Sequence, residues 1–330
     1  MVYRVIHNMA LYSFLAGKIR VLERNLINQV DIDRMVDAPD FDSAFKVLSD
    51  TDFGAYLLNI EPSQFKQVLE DDFRKVRDLI TGWVEEKELL EFLFLKNDAH
   101  NIKLYLKAKR VGDDTDVDAK TSFAGLTEPV LIKRMIVDEM RDTVLHPTTE
   151  ILMQKIKERL SSEPDGFEID SVVDLALFDL LDERVGRSNR KIIKDLYKIQ
   201  KEKAWVKTFL RAKLLKLPAS DLIGVLPESY LKYHDLDIEV AANVLPIEPK
   251  IKKAYLKFLE HKQLWKLEKE LEEAELDVIR GAKYKTDGPE PVIGYYYAKE
   301  NAVRNLRLIL TAKMNEIEAG EIKQRVRALY

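Results

Sequence analysis

The chain has 330 residues, 46% hydrophobic and 33% charged, with 53 basic against 57 acidic side chains and a formal net charge of -4. That length admits two or three domains, and the balanced charge leaves no global footprint for nucleic acid or an anionic membrane. With no cysteine, disulfides, thiolate metal sites, iron–sulfur clusters and thiol catalysis are excluded, and a cytoplasmic setting fits.

Gly (12) and Pro (11) are scarce, while Leu, Lys, Glu, Ala and Arg are abundant. These straight-chain or small residues lose little rotamer freedom in a helix, so the composition predicts an all-α fold. The opening stretch carries Arg4 and His7 within a broken apolar run, and reads as the first helix of the mature protein rather than a signal peptide. No window approaches 18 consecutive apolar residues, so no segment is expected to span a membrane.

Ala38-Pro39-Asp40 predicts the start of a short helix through Phe45, Val47 and Leu48. Glu61-Pro62-Ser63 predicts another, with Pro near the first turn, where its missing N–H costs nothing. Val111-Gly112-Asp113 closes a helix, and Ser162-Glu163-Pro164-Asp165-Gly166 is a turn. Lys216-Leu217-Pro218-Ala219-Ser220 breaks the chain again. A long, charge-rich helical stretch lies between Pro249 and Gly281, and the strongest loop follows at Lys285-Thr286-Asp287-Gly288-Pro289-Glu290-Pro291. Convincing alternating strands are absent.

Three helical segments share one pattern. They are Asn101-Ile102-Lys103-Leu104-Tyr105-Leu106-Lys107-Ala108-Lys109, Trp205-Val206-Lys207-Thr208-Phe209-Leu210-Arg211-Ala212-Lys213 and Asn305-Leu306-Arg307-Leu308-Ile309-Leu310-Thr311-Ala312-Lys313. The offsets are about 100 residues, the size of a small domain. They predict three related domains, 1–112, 113–217 and 218–330, each ending in this helix. Ile102, Tyr105 and Leu106 share one helix face, as do their counterparts in the other two copies. The Ala sits at the edge of that face, where a small side chain admits a neighbouring helix. The final Lys lies near the apolar stripe and must snorkel, pair, or meet the carbonyl end of its own helix. A repeated core helix accounts for the pattern better than a ligand site.

Residues that could carry chemistry form no constellation. His7, His100, His146, His234 and His261 lack the spacing of a zinc protease or of a Glu-x-x-His di-iron site, and read as surface or partly buried polar residues. No glycine-rich phosphate loop and no Gly-x-Ser-x-Gly elbow occurs. Asp114, Asp116 and Asp118 imitate the start of a calcium loop. However, Ala119 stands where the turn Gly is required and Gly125 where the bidentate Glu belongs, so the run reads as a solvated acidic loop. Asp71-Asp72 and Asp113-Asp114 lack the third Asp of a prenyl-pyrophosphate synthase motif. Tyr295-Tyr296-Tyr297 reads mainly as packing, with partner contact as the alternative, and Tyr330 carries little weight. No catalytic, cofactor-binding or metal-ligating residue is assigned.

Four stretches carry a family resemblance: Lys18-Ile19-Arg20-Val21-Leu22-Glu23 with Leu26; Ala44 to Gly54, including Thr51-Asp52-Phe53-Gly54; Asn97-Asp98-Ala99-His100-Asn101-Ile102-Lys103; and Lys299-Glu300-Asn301-Ala302-Val303-Arg304-Asn305-Leu306-Arg307 with the closing Arg-rich helix and Tyr330. Across essentially its whole length the chain resembles the C subunit of V-type (A-type) rotary ATPases, and is similar to the d subunit of the eukaryotic vacuolar enzyme. In the middle repeat Trp205 replaces Asn, so the helix face is the common element. The resemblance implies three similar helical domains about a pseudo-threefold axis, funnel- or boat-shaped. It implies a non-catalytic rotor subunit that binds no cofactor or nucleic acid. That subunit would sit peripherally at the cytoplasmic face of the membrane, on the proteolipid ring, and hold the central stalk subunits D and F. Its torque would link ATP synthesis or hydrolysis to proton or sodium transport. The residues alone leave two rivals open: a soluble helical-repeat adaptor unrelated to the ATPase, and a helical enzyme without a recognisable motif.

Overall fold

The computed structural model describes residues 2–54, 57, 61–115, 117–286 and 288–330, with side chains from residue 11 onward except at 62. Asp116, the middle of the calcium-loop imitation, and Asp287, in the strongest predicted loop, lie outside the described residues. The expected all-α class holds. Among the described residues there is no strand, only an isolated bridge between Ile223 and Leu226.

The chain divides into two compact units. Unit 1 holds residues 1–93, 122–124 and 276–330, and unit 2 holds residues 94–121 and 125–275. The chain changes unit inside two helices, α5 (Lys87–Val111) and α13 (Leu264–Arg280).

Unit 1 begins with α1 (Val2–Glu23) and α2 (Gln29–Asp37). Asn28 caps α2 by accepting from the backbone N–H of Val30 and Asp31, and Asp31 accepts from that of Asn28 in return. The Ala38-Pro39-Asp40 signal opens α3 (Phe41–Lys46), with Asp40 accepting the Ser43 N–H at 2.7 Å. Val47 and Leu48 then fall in a 3-10 turn. A single 3-10 turn at Pro62–Gln64 leads into α4 (Phe65–Trp83). The last elements of the unit are α14 (Glu290–Met314) and α15 (Ala319–Arg325). The predicted loop is therefore shorter than expected, because Glu290 and Pro291 already form the first turn of α14.

Helix α14 organises unit 1 and packs on α4 and α1. Every residue from Pro291 to Lys299 is buried, which is how a helix surrounded by others differs from a surface helix. Tyr295, Tyr296 and Tyr297 all lie inside, with Tyr296 stacked on Phe73 at 5.3 Å and edge-on to Tyr297. Lys299 is 1% exposed. Its ammonium meets Asp52 at 2.7 Å and Asp72 at 2.6 Å, and lies 4.2 Å from the centre of the Phe53 ring. One buried cation thus ties α14 to α4 and to the turn after α3.

Unit 2 contains α6 (Pro129–Ile136), α7 (Pro147–Lys157), α8 (Gly166–Arg187), α9 (Lys191–Leu215) and the short α10 (Glu228–Leu231) and α11 (Ile238–Val244), followed by α12 (Pro249–His261). Proline opens α6, α7 and α12. Asp165, from the predicted turn, caps α8 through the Glu168 N–H at 2.7 Å. Gly112 at φ +73° follows the end of α5. Lys216 at φ 55° ends α9, at the predicted Lys216–Ser220 break. The stretch from Pro249 to Gly281 is two helices rather than one. Lys262 turns left-handed at φ 53° and donates its N–H to Phe258, ending α12 before α13 begins.

The three pattern-bearing segments lie in α5, α9 and α14, each 25 residues long. Ile102 and Tyr105, Val206 and Phe209, and Leu306 and Ile309 are buried, while Leu106 is only half-buried. Ala108 and Ala212 are buried but Ala312 is half-buried, since it sits close to the exposed end of α14 at Met314. Each terminal Lys bonds outside its own helix. Lys109 pairs with Glu139 at 2.6 Å, Lys213 donates to the His234 carbonyl at 2.6 Å, and Lys313 donates to the Ala38 carbonyl.

This packing sets the cost of two kinds of substitution. Ala212→Leu should cost about 1–3 kcal/mol by overpacking, and Ala312→Leu clearly less. Equal denaturant midpoints for both variants would contradict the burial difference. Lys299→Ala should cost about 3–5 kcal/mol, because it removes the ammonium that neutralises the buried Asp72 and the half-buried Asp52. Chemical denaturation checks it, and a loss below about 1 kcal/mol, as for a surface pair, would contradict the buried cluster.

Candidate interaction surface

Buried charges in the repeat helices hold the chain segments packed around them. On α5, Asp98 is fully buried. It accepts the Thr127 N–H at 3.2 Å, just before α6, and the Thr149 hydroxyl at 2.6 Å, in the first turn of α7. The Thr127 hydroxyl continues the network to Thr149 and accepts the His146 N–H. A Cβ on Gly125 would come within 2.0 Å of the Asp98 carboxylate, so this approach requires glycine. The same register on α9, three residues before Trp205, holds Glu202, which accepts the N–H of Glu248, the residue that caps α12, at 2.6 Å. Burial pushes the Glu202 carboxyl up, opposed by that N–H. On α9 the buried carboxylate thus satisfies the cap N–H of a Pro-initiated helix, while on α5 it holds the segment that leads into one. On α14 the register holds Ala302, and other residues take the role. Arg307 pairs with Glu70 of α4, and Glu70 also accepts the Phe123 N–H at 3.1 Å. Arg77 donates to the Phe123 carbonyl at 2.9 Å.

Asn305 clamps the last residues of the chain. It donates to the Arg327 carbonyl and accepts the Arg327 N–H, both at 3.0 Å. Asn301 and Arg280 donate to the carbonyls of Ala328 and Leu329. Tyr330 then seats its phenol where a Cβ on Gly294 would come within 2.4 Å of it. Burial and the nearby Glu23 push that phenol up to about 12. The sequence reading missed this clamp, although a lone Gly inside an apolar helical run hints at a close neighbour. It does not recur in the middle repeat, where Trp205 instead packs edge-on to Tyr230 at 5.7 Å.

An open cavity of about 770 Å3 in unit 2 lies between α8, α9 and the segment 221–227. Its floor includes Val172, Phe178 and Trp205, and its outer lip carries the exposed Ile223. Arg159 pairs with Asp179 at 2.6 Å on the rim, and Lys201 pairs with Asp182 while lying over the Trp205 ring. An apolar floor within a rim of paired charges is the anatomy of a protein contact. Behind the cavity, α9 is fixed to α13 by Glu275, which accepts from Gln200 and Lys203.

The side chain of His7 lies outside the described residues. His146 caps α7, His100 meets the Lys120 carbonyl, and His261 is exposed. His234 is more buried than the sequence suggests, with its ring against Phe209 and Nε2 at 2.8 Å from the Leu217 carbonyl. Asp114 and Asp118 both pair with Lys133 at 2.9 Å. Among the described residues no group of three metal-ligating side chains converges.

Glu275 supplies a pH prediction. Burial alone would raise its carboxyl, but Lys203, Lys96 and the Gln200 hydrogen bond prevail and hold it down at about 2. A depressed carboxylate stabilises the fold above its unfolded value, near 4.5, and that contribution fades as pH falls toward 2. Glu275→Gln should therefore lower stability at neutral pH, with the difference from wild type shrinking across that acid range. Stability curves that stay parallel would contradict it.

Known proteins give this helical body a relationship. The family described as ATP synthase (C/AC39) subunit matches residues 15–325. The C subunit of the A-type ATP synthase of Methanocaldococcus jannaschii is 22% identical over 360 residues, covering 97% of this chain and 87% of that protein. Because the family match runs through nearly every helix of both units, the chain belongs to the ATP synthase (C/AC39) subunit family.

Proposed function

We propose that this chain is the non-catalytic rotor connector of an A/V-type rotary ATP synthase or ATPase. It docks on the membrane proteolipid ring, holds the central stalk subunits D and F, and carries torque between nucleotide chemistry and ion transport. The observation that carries this reading is the family match over residues 15–325. The name of the Methanocaldococcus relative, the C subunit of an A-type ATP synthase, supports the same complex. No helix among the described residues is long and apolar enough to cross a membrane, which is consistent with a peripheral position at the cytoplasmic face. Close-packed helices cross-linked by buried charges suit a part that transmits strain.

The three domains 1–112, 113–217 and 218–330 belong to this proposal, as does their pseudo-threefold relation. The equal lengths of α5, α9 and α14 support it. So do the partners of the terminal lysines. Lys109 reaches Glu139 in the second segment, Lys213 reaches His234 in the third, and Lys313 reaches Ala38 in the first.

Affinity purification of the tagged chain from native membranes should co-isolate the catalytic, stalk and proteolipid subunits in fixed proportion. Recovery of the chain from membranes without any of them would contradict the proposal.

A further inference from the structure

The chain leaves α15 in an extended conformation at Val326, and residues 326–330 have no regular structure. Side chains meet their main chain. The Asn305 amide takes both the N–H and the carbonyl of Arg327, and Asn301 and Arg280 donate to the next two carbonyls, at 2.6 and 3.0 Å. Asn305 is fully buried, and the two bonds to Arg327 satisfy both ends of its amide. Gly294, Asn301 and Asn305 share one face of α14, and the segment runs along that face against the helix direction. At its end Tyr330 has a seat of its own. Gly294 has no Cβ to obstruct the phenol, Lys283 lies 5.4 Å from the ring centre, and Arg20 and Glu23 of α1 adjoin the hydroxyl. Yet every residue from Val326 to Tyr330 is only half-buried.

We propose that this face of α14 is a peptide-binding site, which residues 326–330 fill as a displaceable ligand. Its ligand class is an extended segment with a tyrosine three residues after the one that the Asn305 amide clamps. Main-chain hydrogen bonds joined to one side-chain pocket are how receptors take extended peptides. The bonds to Arg327, Ala328 and Leu329 fall on backbone atoms, which every segment carries, so they select a conformation rather than a sequence. Sequence selection comes from the tyrosine. Lys283 favours an aromatic ring, and the adjoining Arg20 favours one that carries a hydroxyl. Displacement follows from how the segment is held. Little apolar surface is buried, and half-exposed hydrogen bonds open locally at a fraction of the free energy of global unfolding. When the segment leaves, α1 loses the contact of Arg20 and Glu23 with Tyr330, so the first helix of the unit responds to what occupies the site.

Native-state hydrogen exchange on the full wild-type chain tests displacement. The Arg327 amide should exchange about a hundredfold faster than that of Ile309, buried in α14, and its rate should change little at low denaturant. Equal protection of the two amides would overturn the proposal. Binding tests the ligand class, with a fluorescent synthetic peptide of the sequence Val326 to Tyr330 titrated into the full chain. The peptide should bind Tyr330→Ala about tenfold more tightly than wild type, whose tethered segment competes at high effective concentration. The same peptide ending in Ala should not bind. Adding Gly294→Ala to Tyr330→Ala should abolish binding with helix content unchanged, because a Cβ there meets the incoming phenol. Equal affinity for the two peptides, equal affinity for the wild-type and Tyr330→Ala chains, or no binding to either would overturn the site. A Tyr330→Ala chain that does not fold would overturn it as well, since a displaceable ligand is dispensable to the fold.

Discussion

A polar group buried inside a helix bundle must find a partner, and that constraint shapes both units. An unpaired charge in an apolar interior costs several kcal/mol, more than most single contacts return. Asp98, Glu202 and Lys299 all sit on the buried side of a repeat helix. Each is satisfied by a segment distant in sequence: Asp98 by Thr127 and Thr149, Glu202 by Glu248, and Lys299 by Asp52 and Asp72. Apolar stripes alone would let the helices slide or rotate against their neighbours. The buried charges fix one register, because any other leaves a charge unpaired.

The local chemistry of the chain supports the same register. Proline at the first turn and Asp or Asn caps set where helices begin, and left-handed residues at Lys216 and Lys262 set where two of them end. The buried carboxylate of α9 then meets the cap N–H at such a helix start, and that of α5 meets the Thr127 N–H in the segment leading into α6. In α14 the equivalent position is Ala302. Its docking passes to Lys299 and Arg307, with the Asn305 clamp holding the end of the chain. The three helices keep length and apolar face in common while their polar contacts diverge. Packing is specified by a stripe of several residues, whereas a polar clamp depends on one residue and its single partner.

That difference explains what was legible beforehand. The all-α class, the helix starts at Asp40 and near Pro62, the turn at Ser162–Gly166, and the repeat itself are local or periodic signals, and they stand in the primary sequence. The family resemblance summed many weak patterns over the whole chain. The Lys299 cluster could not be read, because Asp52 and Asp72 lie near the other end of the chain and nothing local marks them as partners. The seat of Tyr330 beside Gly294 was hidden for the same reason. The break at Lys262 was missed because a lysine in the left-handed region has no compositional signal, unlike glycine. The cavity in unit 2 is assembled from separated segments, and no contact residue was assigned from sequence.

The proposed role is mechanical, so its most direct test is motion. The chain contains no cysteine, so a single Lys253→Cys substitution at an exposed site on α12 gives a unique attachment point. A bead carried at that point, on an ATPase complex immobilised through its catalytic head, should turn unidirectionally when ATP is added and stop when ATP is withdrawn. A bead that stays fixed while the same complexes hydrolyse ATP and turn a bead on the stalk would contradict the account.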